Sequence, residues 1–160
     1  MDLKMDKEKG EGRIETLTRG VCVVRGMILL CQNRKVGNVY LPGGHIDFGE
    51  TGAAALAREI DEEMGCRARV GAFLGCVEHF FDQQGVPHAE IDLLYTMRVT
   101  GIVPEREPPC REGWLRFFWH PLDRLSSVHL EPAVLRRRLP QWVAATPAGN
   151  LLTTKVEGQG

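Results

Sequence analysis

The chain has 160 residues, of which 43% are hydrophobic and 26% are charged. This length suffices for one compact domain and is short for two. With 20 basic and 21 acidic residues, the net charge of −1 excludes a global field that would attract nucleic acid or an anionic membrane. Any affinity for phosphate must therefore come from a local site or from a metal ion.

The sequence predicts no membrane segment and no disulfide framework. The opening stretch, MDLKMDKEKGEGRIE, mixes both charges and lacks the apolar run of a signal peptide, and no later stretch approaches ~20 apolar residues. The five cysteines form no CxxC pair, which disfavours a zinc site and favours free thiols in a reducing compartment. We therefore expect a soluble cytoplasmic protein.

The first third of the chain favours strands. Residues 1–15 are highly charged and predict a flexible N-terminal segment, so the domain is expected to begin at residue 16. TRGVCVVRG and MILLCQNR are β-rich runs that predict a hairpin. NVYLPGG predicts a third extended segment, which Pro42, Gly43 and Gly44 would end.

An alanine-rich pattern then predicts a helix from Thr51 to Met64, with Gly65 as its C-terminal stop. RVGAFLGCVEHFF and AEIDLLYTMRV again have the composition of strands. Gly85 and Pro87 mark the predicted turn between them.

The last part of the domain is expected to close with one strand and one helix. WLRFFW predicts the strand, PLDRL a short turn or helix, and EPAVLRRRLPQWV a helix with Pro132 near its start. Residues 146–160, rich in Gly, Thr and Pro, predict a flexible tail. The expected domain thus spans residues 16–145.

The central helix carries an unusual concentration of acids. Glu59, Glu62 and Glu63 fall within an arc of roughly 100°, since residues i, i+3 and i+4 share a helix face. Each i,i+4 pair of like charges costs about 0.2–0.5 kcal/mol. Arg58 can pair with Glu62 but cannot neutralise three carboxylates, whereas Mg²⁺ or Mn²⁺, which prefer oxygen ligands, can. For an isolated motif, a solvated acidic face is the alternative interpretation.

The surrounding residues extend this helix into a longer motif. From Gly44 to Cys66 the chain follows the spacing G-x5-E-x7-R-E-U-x-E-E-x-G-U, where U is a bulky aliphatic residue. This motif resembles the signature of the Nudix hydrolases, and the one departure is Cys66 in the last U position. The resemblance implies an α/β/α sandwich with a mixed β-sheet and a loop–helix–loop catalytic element.

The resemblance also implies an activity and a set of residue roles. Nudix enzymes hydrolyse the pyrophosphate bond of a nucleoside diphosphate linked to another group X, by attack of water on phosphorus, with Mg²⁺ or Mn²⁺ as cofactor. Glu50 and Arg58 match the pair that braces the loop against the helix. The implied metal ligands are the backbone carbonyl of Gly43 and the carboxylates of Glu59, Glu62 and Glu63.

The sequence offers several candidates for the general base. Within the motif, Glu62 or Glu63 could take the proton of the attacking water. Outside it, Glu90 in HAEIDLLY competes with Glu112, just before GWLRFFW; solvation at a strand end is the alternative for both. We favour Glu90, because a strand holds a side chain more rigidly than the proline-rich loop PEREPPCREG.

The sequence leaves the substrate open. Of Phe80, Phe81, Tyr95 and Trp119, we expect at most one to stack on a nucleobase, since strand aromatics are usually core residues. The expected partner is a small nucleotide, with no DNA and no membrane; capped or 5′-triphosphorylated RNA and homodimer formation stay open. The alternative function is an inactive Nudix-fold module that binds nucleotides or regulates. Such a module would be expected to lack metal-binding acids, and all are present.

Overall fold

A computed structural model describes residues 12–145 of the chain. Of the predicted flexible segments, residues 1–11 of the segment 1–15 and the whole of 146–160 lie outside these described residues. The strands are β1 Arg13–Val21, β2 Val23–Val24, β3 Met27–Asn33, β4 Val39–Tyr40, β5 Gly43–His45, β6 Ala68–Gln83, β7 Val86–Val99 and β8 Leu115–Pro121. The helices are α1 Gly52–Met64, a 3-10 helix Leu122–Ser127 and α2 Leu135–Ala144.

The strands form two four-stranded sheets. In the first, the order is β5-β1-β7-β6, and β1 runs parallel to β7 while the other neighbours are antiparallel. In the second, β3 pairs with β8 along one edge and with the short strands β2 and β4 along the other. The first sheet is therefore mixed, as expected.

Alternation along β3 separates two apolar layers. Leu29 and Cys31 belong to the cluster that packs on α1, whereas Ile28 and Leu30 belong to the cluster that packs on α2. The buried residues that the helices contribute are Leu56, Ile60 and Met64 from α1 and Leu135 and Leu139 from α2. This layering confirms the α/β/α sandwich.

Helix α1 has the predicted ends because both of its caps are satisfied. The hydroxyl of Thr51 accepts a hydrogen bond from the N–H of Ala54 at 3.2 Å, which caps the first turn. Gly65 adopts a left-handed φ of 66° and donates its N–H to the carbonyl of Asp61 at 2.8 Å. These caps fix the residues at which the helix begins and ends.

Two predictions in the first third of the chain were wrong at their boundaries. Strand β1 begins at Arg13, five residues before the predicted run TRGVCVVRG, because Arg13 lies opposite His88 and pairs with β7. Gly43 and Gly44 form strand β5 instead of ending a segment. A Cβ on Gly43, whose φ is 142°, would clash with the carbonyl of Thr18, so only glycine allows this strand to approach β1.

Two later boundaries also differ. Pro87 lies inside β7, and the turn is formed by Gln84 and Gly85; β1 starts to pair with β7 only at His88, so the missing N–H of Pro87 costs no bond there. Helix α2 begins at Leu135 because the preceding residues form a tight turn, in which the N–H of Leu135 donates to the carbonyl of Pro132 at 2.9 Å. Within residues 12–145, no helix has the length and apolar character needed to cross a bilayer.

Candidate active site

The three acids that share one face of α1 lie in different environments. The side chain of Glu62 is 56% exposed, that of Glu59 is 16% exposed, and Glu63 is half-buried near the C-terminal end of the helix. One helix face therefore presents a carboxylate to solvent, one to the neighbouring strand and one to the interior.

Arg58 connects this face to the loop before the helix. Its Nε and Nη2 donate to the two carboxylate oxygens of Glu50, each at 2.9 Å, and Nη2 also donates to the carbonyl of His45 at 3.0 Å. Its Nη1 donates to Glu59 at 3.0 Å and to Glu62 at 3.3 Å. Hydrogen bonding to Glu50 raises the pKa of Arg58 further above its usual range. The bidentate contact ties the loop to the helix.

Glu63 carries a buried polar atom without a partner in the described part of the chain. Its Oε2 is buried and has no hydrogen-bond partner among the described residues. Burial, followed by the negative charge of Glu59, raises the pKa of Glu63 to about 8, while the charge of Arg19 acts in the opposite direction. A buried carboxylate oxygen without a partner is costly, so Glu63 requires a proton or a cation.

The glycines of β5, the strand next to α1, leave room for the carboxylates. A Cβ on Gly44 would lie 2.5–2.7 Å from the carboxylate atoms of Glu59, so only glycine lets Glu59 lie against β5. Gly43, one residue earlier, pairs with Arg19 of β1. The oxygen donors assembled here are of the kind that Mg²⁺ and Mn²⁺ prefer.

In residues 12–145, no three side chains of His, Cys, Asp or Glu are arranged as a ready metal site. The reason is visible in the contacts above. Arg58 holds Glu59 and Glu62, whereas, within the described residues, Glu63 makes no such contact. Burial raises the pKa values of Cys31 and Tyr40, and the charge of Glu63 adds to this effect, so Glu63 lies near both groups. A metal ion would have to draw Glu62 away from Arg58.

A cleft of about 730 Å³ opens beside the acids. Its walls come from β1, the β3–β4 region, β6, β7 and the residues just before α2. They include Arg19, Asn33, Tyr40, His79, Phe81 and Glu90. The cleft adjoins α1, because Arg19 and Tyr40 line it and both interact electrostatically with Glu63.

Arg19 is held firmly at this junction. Its Nε donates to Asp92 at 3.1 Å, its Nη1 donates to the carbonyl of Leu41 at 3.4 Å, and its guanidinium lies 5.3 Å from the centre of the Tyr40 ring. Asp92 is completely buried. The sequence analysis missed this pair, although a charged residue inside each of the apolar runs TRGVCVV and EIDLLY was the available signal.

The two candidate bases lie in different places. Glu90 is in β7, lines the cleft and has its Oε2 at 3.7 Å from Nδ1 of His79. Glu112 lies in the loop before β8, where its carboxylate accepts a hydrogen bond from Nε1 of Trp114 at 3.2 Å. The charge of Glu112 is among those that raise the pKa of Glu63, which places it on the α1 side.

Of the four aromatics considered for stacking, Phe81 lines the cleft. Its ring stacks on His88 at a centroid distance of 5.2 Å and lies 5.0 Å from His79. Tyr95 is buried against Phe73 in the core. The two others are placed differently: Phe80 is 72% exposed, and Trp119 packs against the core cluster under α1.

Comparison with known proteins agrees with this architecture. The family model of the NUDIX domain matches residues 15–144, so the chain belongs to the Nudix hydrolase family. A Mycobacterium tuberculosis (strain CDC 1551 / Oshkosh) protein named MutT4 is 39% identical over 61 residues; the match spans 38% of this chain and only a quarter (25%) of that protein.

Two solved structures show the same fold. A MutT NUDIX hydrolase from Burkholderia pseudomallei superimposes with a TM-score of 0.56 and 27% identity, over 69% of this chain and 85% of that one. A MutT protein from Methanosarcina mazei Go1 superimposes with a TM-score of 0.63 and 20% identity, over 84% and 96% of the two chains. The α/β/α fold expected from the motif is thereby confirmed.

Proposed function

We propose that this protein is a metal-dependent hydrolase that cleaves the pyrophosphate bond of a nucleoside diphosphate linked to another group X. The observation that carries the proposal is the buried, unpartnered Oε2 of Glu63, on an acidic helix face that adjoins a cleft of about 730 Å³. Membership in the Nudix family supports the same reaction class.

The proposed ligands of Mg²⁺ or Mn²⁺ are the carboxylates of Glu59, Glu62 and Glu63 and the carbonyl of Gly43. When bound, the ion would offset the charge of the diphosphate and lower the pKa of a coordinated water. Glu62 is free to turn toward this position, because it is exposed and its bond to Arg58 is the longest of the arginine's contacts with Glu50, Glu59 and Glu62. Glu50 keeps Arg58 in place when Glu62 leaves.

The cleft supplies binding and orientation. The nucleobase would lie against Phe81, whose ring is already supported by His79 and His88 on the cleft wall. Arg19 stands between this wall and α1 and is fixed by Asp92, so it would orient the diphosphate toward the acids. A guanidinium held in advance loses little entropy when the anion binds.

The proton of the attacking water requires a carboxylate acceptor. We assign this role to Glu90, which is held between two paired strands and lies close to His79, a group that could pass the proton on. Glu112 is the competing assignment because it lies on the α1 side of the site.

The test is a substrate panel with Mg²⁺ and Mn²⁺: dinucleoside polyphosphates, ADP-ribose, nucleoside triphosphates, sugar nucleotides and 5′-triphosphorylated RNA. We expect turnover of at least one compound, with products that place the cleavage in the pyrophosphate bond, and no turnover with EDTA. Calorimetric titration of the same compounds distinguishes the alternative. A nucleotide that binds tightly but is not hydrolysed with either metal would identify a non-catalytic module.

A further inference from the structure

A second cavity, of about 390 Å³, lies at the other end of the first sheet and shares no lining residue with the cleft. Its floor is the part of β6 where pairing with β7 shifts register on both sides of Phe73. One wall is the C-terminal part of α2. The irregular strand and the helix leave a space between them, and nothing in the proposed reaction uses it.

One part of the lining of this cavity is apolar. Its apolar walls are Trp142 and Val143 of α2, Leu74 of β6 and the neighbouring Val21. Trp142 lies against the backbone of β6, since a Cβ on Gly75 would be 3.0 Å from its ring. A flat indole surface next to aliphatic side chains suits an aromatic or branched apolar group.

Two arginines line the same cavity. Arg69 and Arg98 stand directly opposite each other on β6 and β7, and both are exposed. Within the described part of the chain, neither guanidinium makes a hydrogen bond or an ion pair, in contrast to Arg19, Arg58 and Arg136. Like charges directly opposite each other on neighbouring strands are unfavourable, and an anion between them would remove that cost.

We propose that this second cavity is a binding site for a small organic anion. The ligand's apolar body would lie against Trp142 and Leu74, and its carboxylate or phosphate would lie between Arg69 and Arg98. A volume of about 390 Å³ is in the range of small-molecule sites. The proposal does not depend on the hydrolase activity.

Nuclear magnetic resonance of the full, ¹⁵N-labelled chain tests the site with three probes: 2-naphthoate, 2-naphthyl phosphate and the neutral 2-naphthylmethanol. We expect the two anions to move the indole N–H signal of Trp142 in a saturable way and to leave that of Trp114 in place. The neutral probe should bind at least about fivefold more weakly. The stronger of the two anions identifies the preferred charged group.

Variants separate the charged part of the site from the apolar part. Arg69→Gln and Arg98→Gln should each weaken binding of the anions about fivefold and leave binding of 2-naphthylmethanol unchanged. Arg137→Gln, on α2 but outside the cavity lining, is the matched control and should change nothing. Equal affinity for charged and neutral probes, or shifts that avoid Trp142, would overturn the proposal.

The full chain also provides the test of other occupants. Segment 146–160 follows Ala145, which lines the cavity, and it contains Leu151. Tighter probe binding by Leu151→Asn would show that this segment occupies the cavity, and a dimer that the probe dissociates would show that a second copy does. Either result would contradict the small-anion assignment.

Discussion

The acidic face of α1 and the cleft beside it are built in opposite ways. The acids, their supporting arginine and the glycines that make room for them all come from one stretch of chain, residues 43–63. The cleft instead takes its walls from β1, the β3–β4 region, β6, β7 and the residues just before α2. Reactive groups can thus be encoded by local spacing, whereas binding surfaces depend on which distant strands become neighbours.

The strand register shows how the cleft is assembled. Glu15, Glu90 and His79 lie side by side across β1, β7 and β6. Further along the same sheet, Arg19 of β1 reaches Asp92 of β7. A shift of one residue in either pairing would turn these side chains to the opposite face of the sheet. We therefore expect substitutions in α1 to affect all substrates equally and substitutions in the cleft to discriminate among them.

The largest expected effect is the loss of the helix acids. Glu62→Gln and Glu63→Gln each keep the shape of the side chain but remove a charged oxygen donor, so turnover of every substrate in the panel should fall to background. The measurement is kcat with Mg²⁺, together with the melting temperature to confirm folding. Asp61→Asn, exposed on the same helix but outside the acidic face, should retain activity. Near-normal rates in both glutamine variants would exclude the metal assignment.

The second largest effect is expected from removal of the general base. It shows whether the proton of the attacking water is accepted by a residue of the cleft or by one on the α1 side. Removal of the general base should lower kcat by ~10²–10⁴-fold and leave the metal concentration for half-maximal rate unchanged. We expect this profile for Glu90→Gln and a weaker effect for Glu112→Gln. The reverse result would move the base to the loop before β8. If neither variant lowers kcat, the general base is a carboxylate of α1.

Burial of Glu63 should make stability depend on pH when divalent ions are absent. Because its pKa is raised from 4.5 to about 8, the folded chain keeps a proton that the unfolded chain has lost between these values. The free energy of unfolding should therefore fall by up to a few kcal/mol as pH rises through this window. Urea unfolding at both ends of the window measures the fall. An equal slope in Glu63→Gln would show that another group causes it.

Arg58→Ala tests how strongly the loop is fixed to the helix. The partners are partly exposed, at 27% for Arg58 and 24% for Glu50, so we expect a loss of about 1–3 kcal/mol in unfolding free energy, below the cost of breaking a fully buried pair. The control is Arg116→Ala, whose contact with Glu107 is long and exposed and should contribute below about 1 kcal/mol. Equal melting temperatures for the two variants would contradict this role.

The smallest effect is expected from the aromatic wall of the cleft. Phe81→Ala should raise KM about tenfold for substrates with a stacked base and largely preserve kcat. Phe80→Ala is a closely matched control, because Phe80 is the preceding residue of β6 and faces solvent. If both variants raise KM equally, the base does not stack on Phe81.

The contrast between local spacing and long-range strand pairing also explains how far the sequence could predict the structure. The limits of α1 follow from Thr51 and Gly65, and the spacing of its acids follows from helical geometry, because each depends on residues within a few positions. Strand β5 was missed because its glycines are required by an approach to β1, which no local pattern reveals. Arg19 and Asp92 each stand out as a charge within an apolar run, but their pairing could not be predicted, since 73 positions separate them.

The parallel pairing of β1 with β7 also affects the order in which the elements are expected to fold. Helix α1 and the β6–β7 hairpin, closed by the Gln84–Gly85 turn, form through contacts that are near in sequence. The β1–β7 pair must first close a loop of the length that separates Arg19 from Asp92, and such long closures slow folding. During synthesis, β1 cannot pair with β7 until β7 has emerged from the ribosome. We therefore expect the nascent chain to form its acidic helix before the cleft beside that helix is complete.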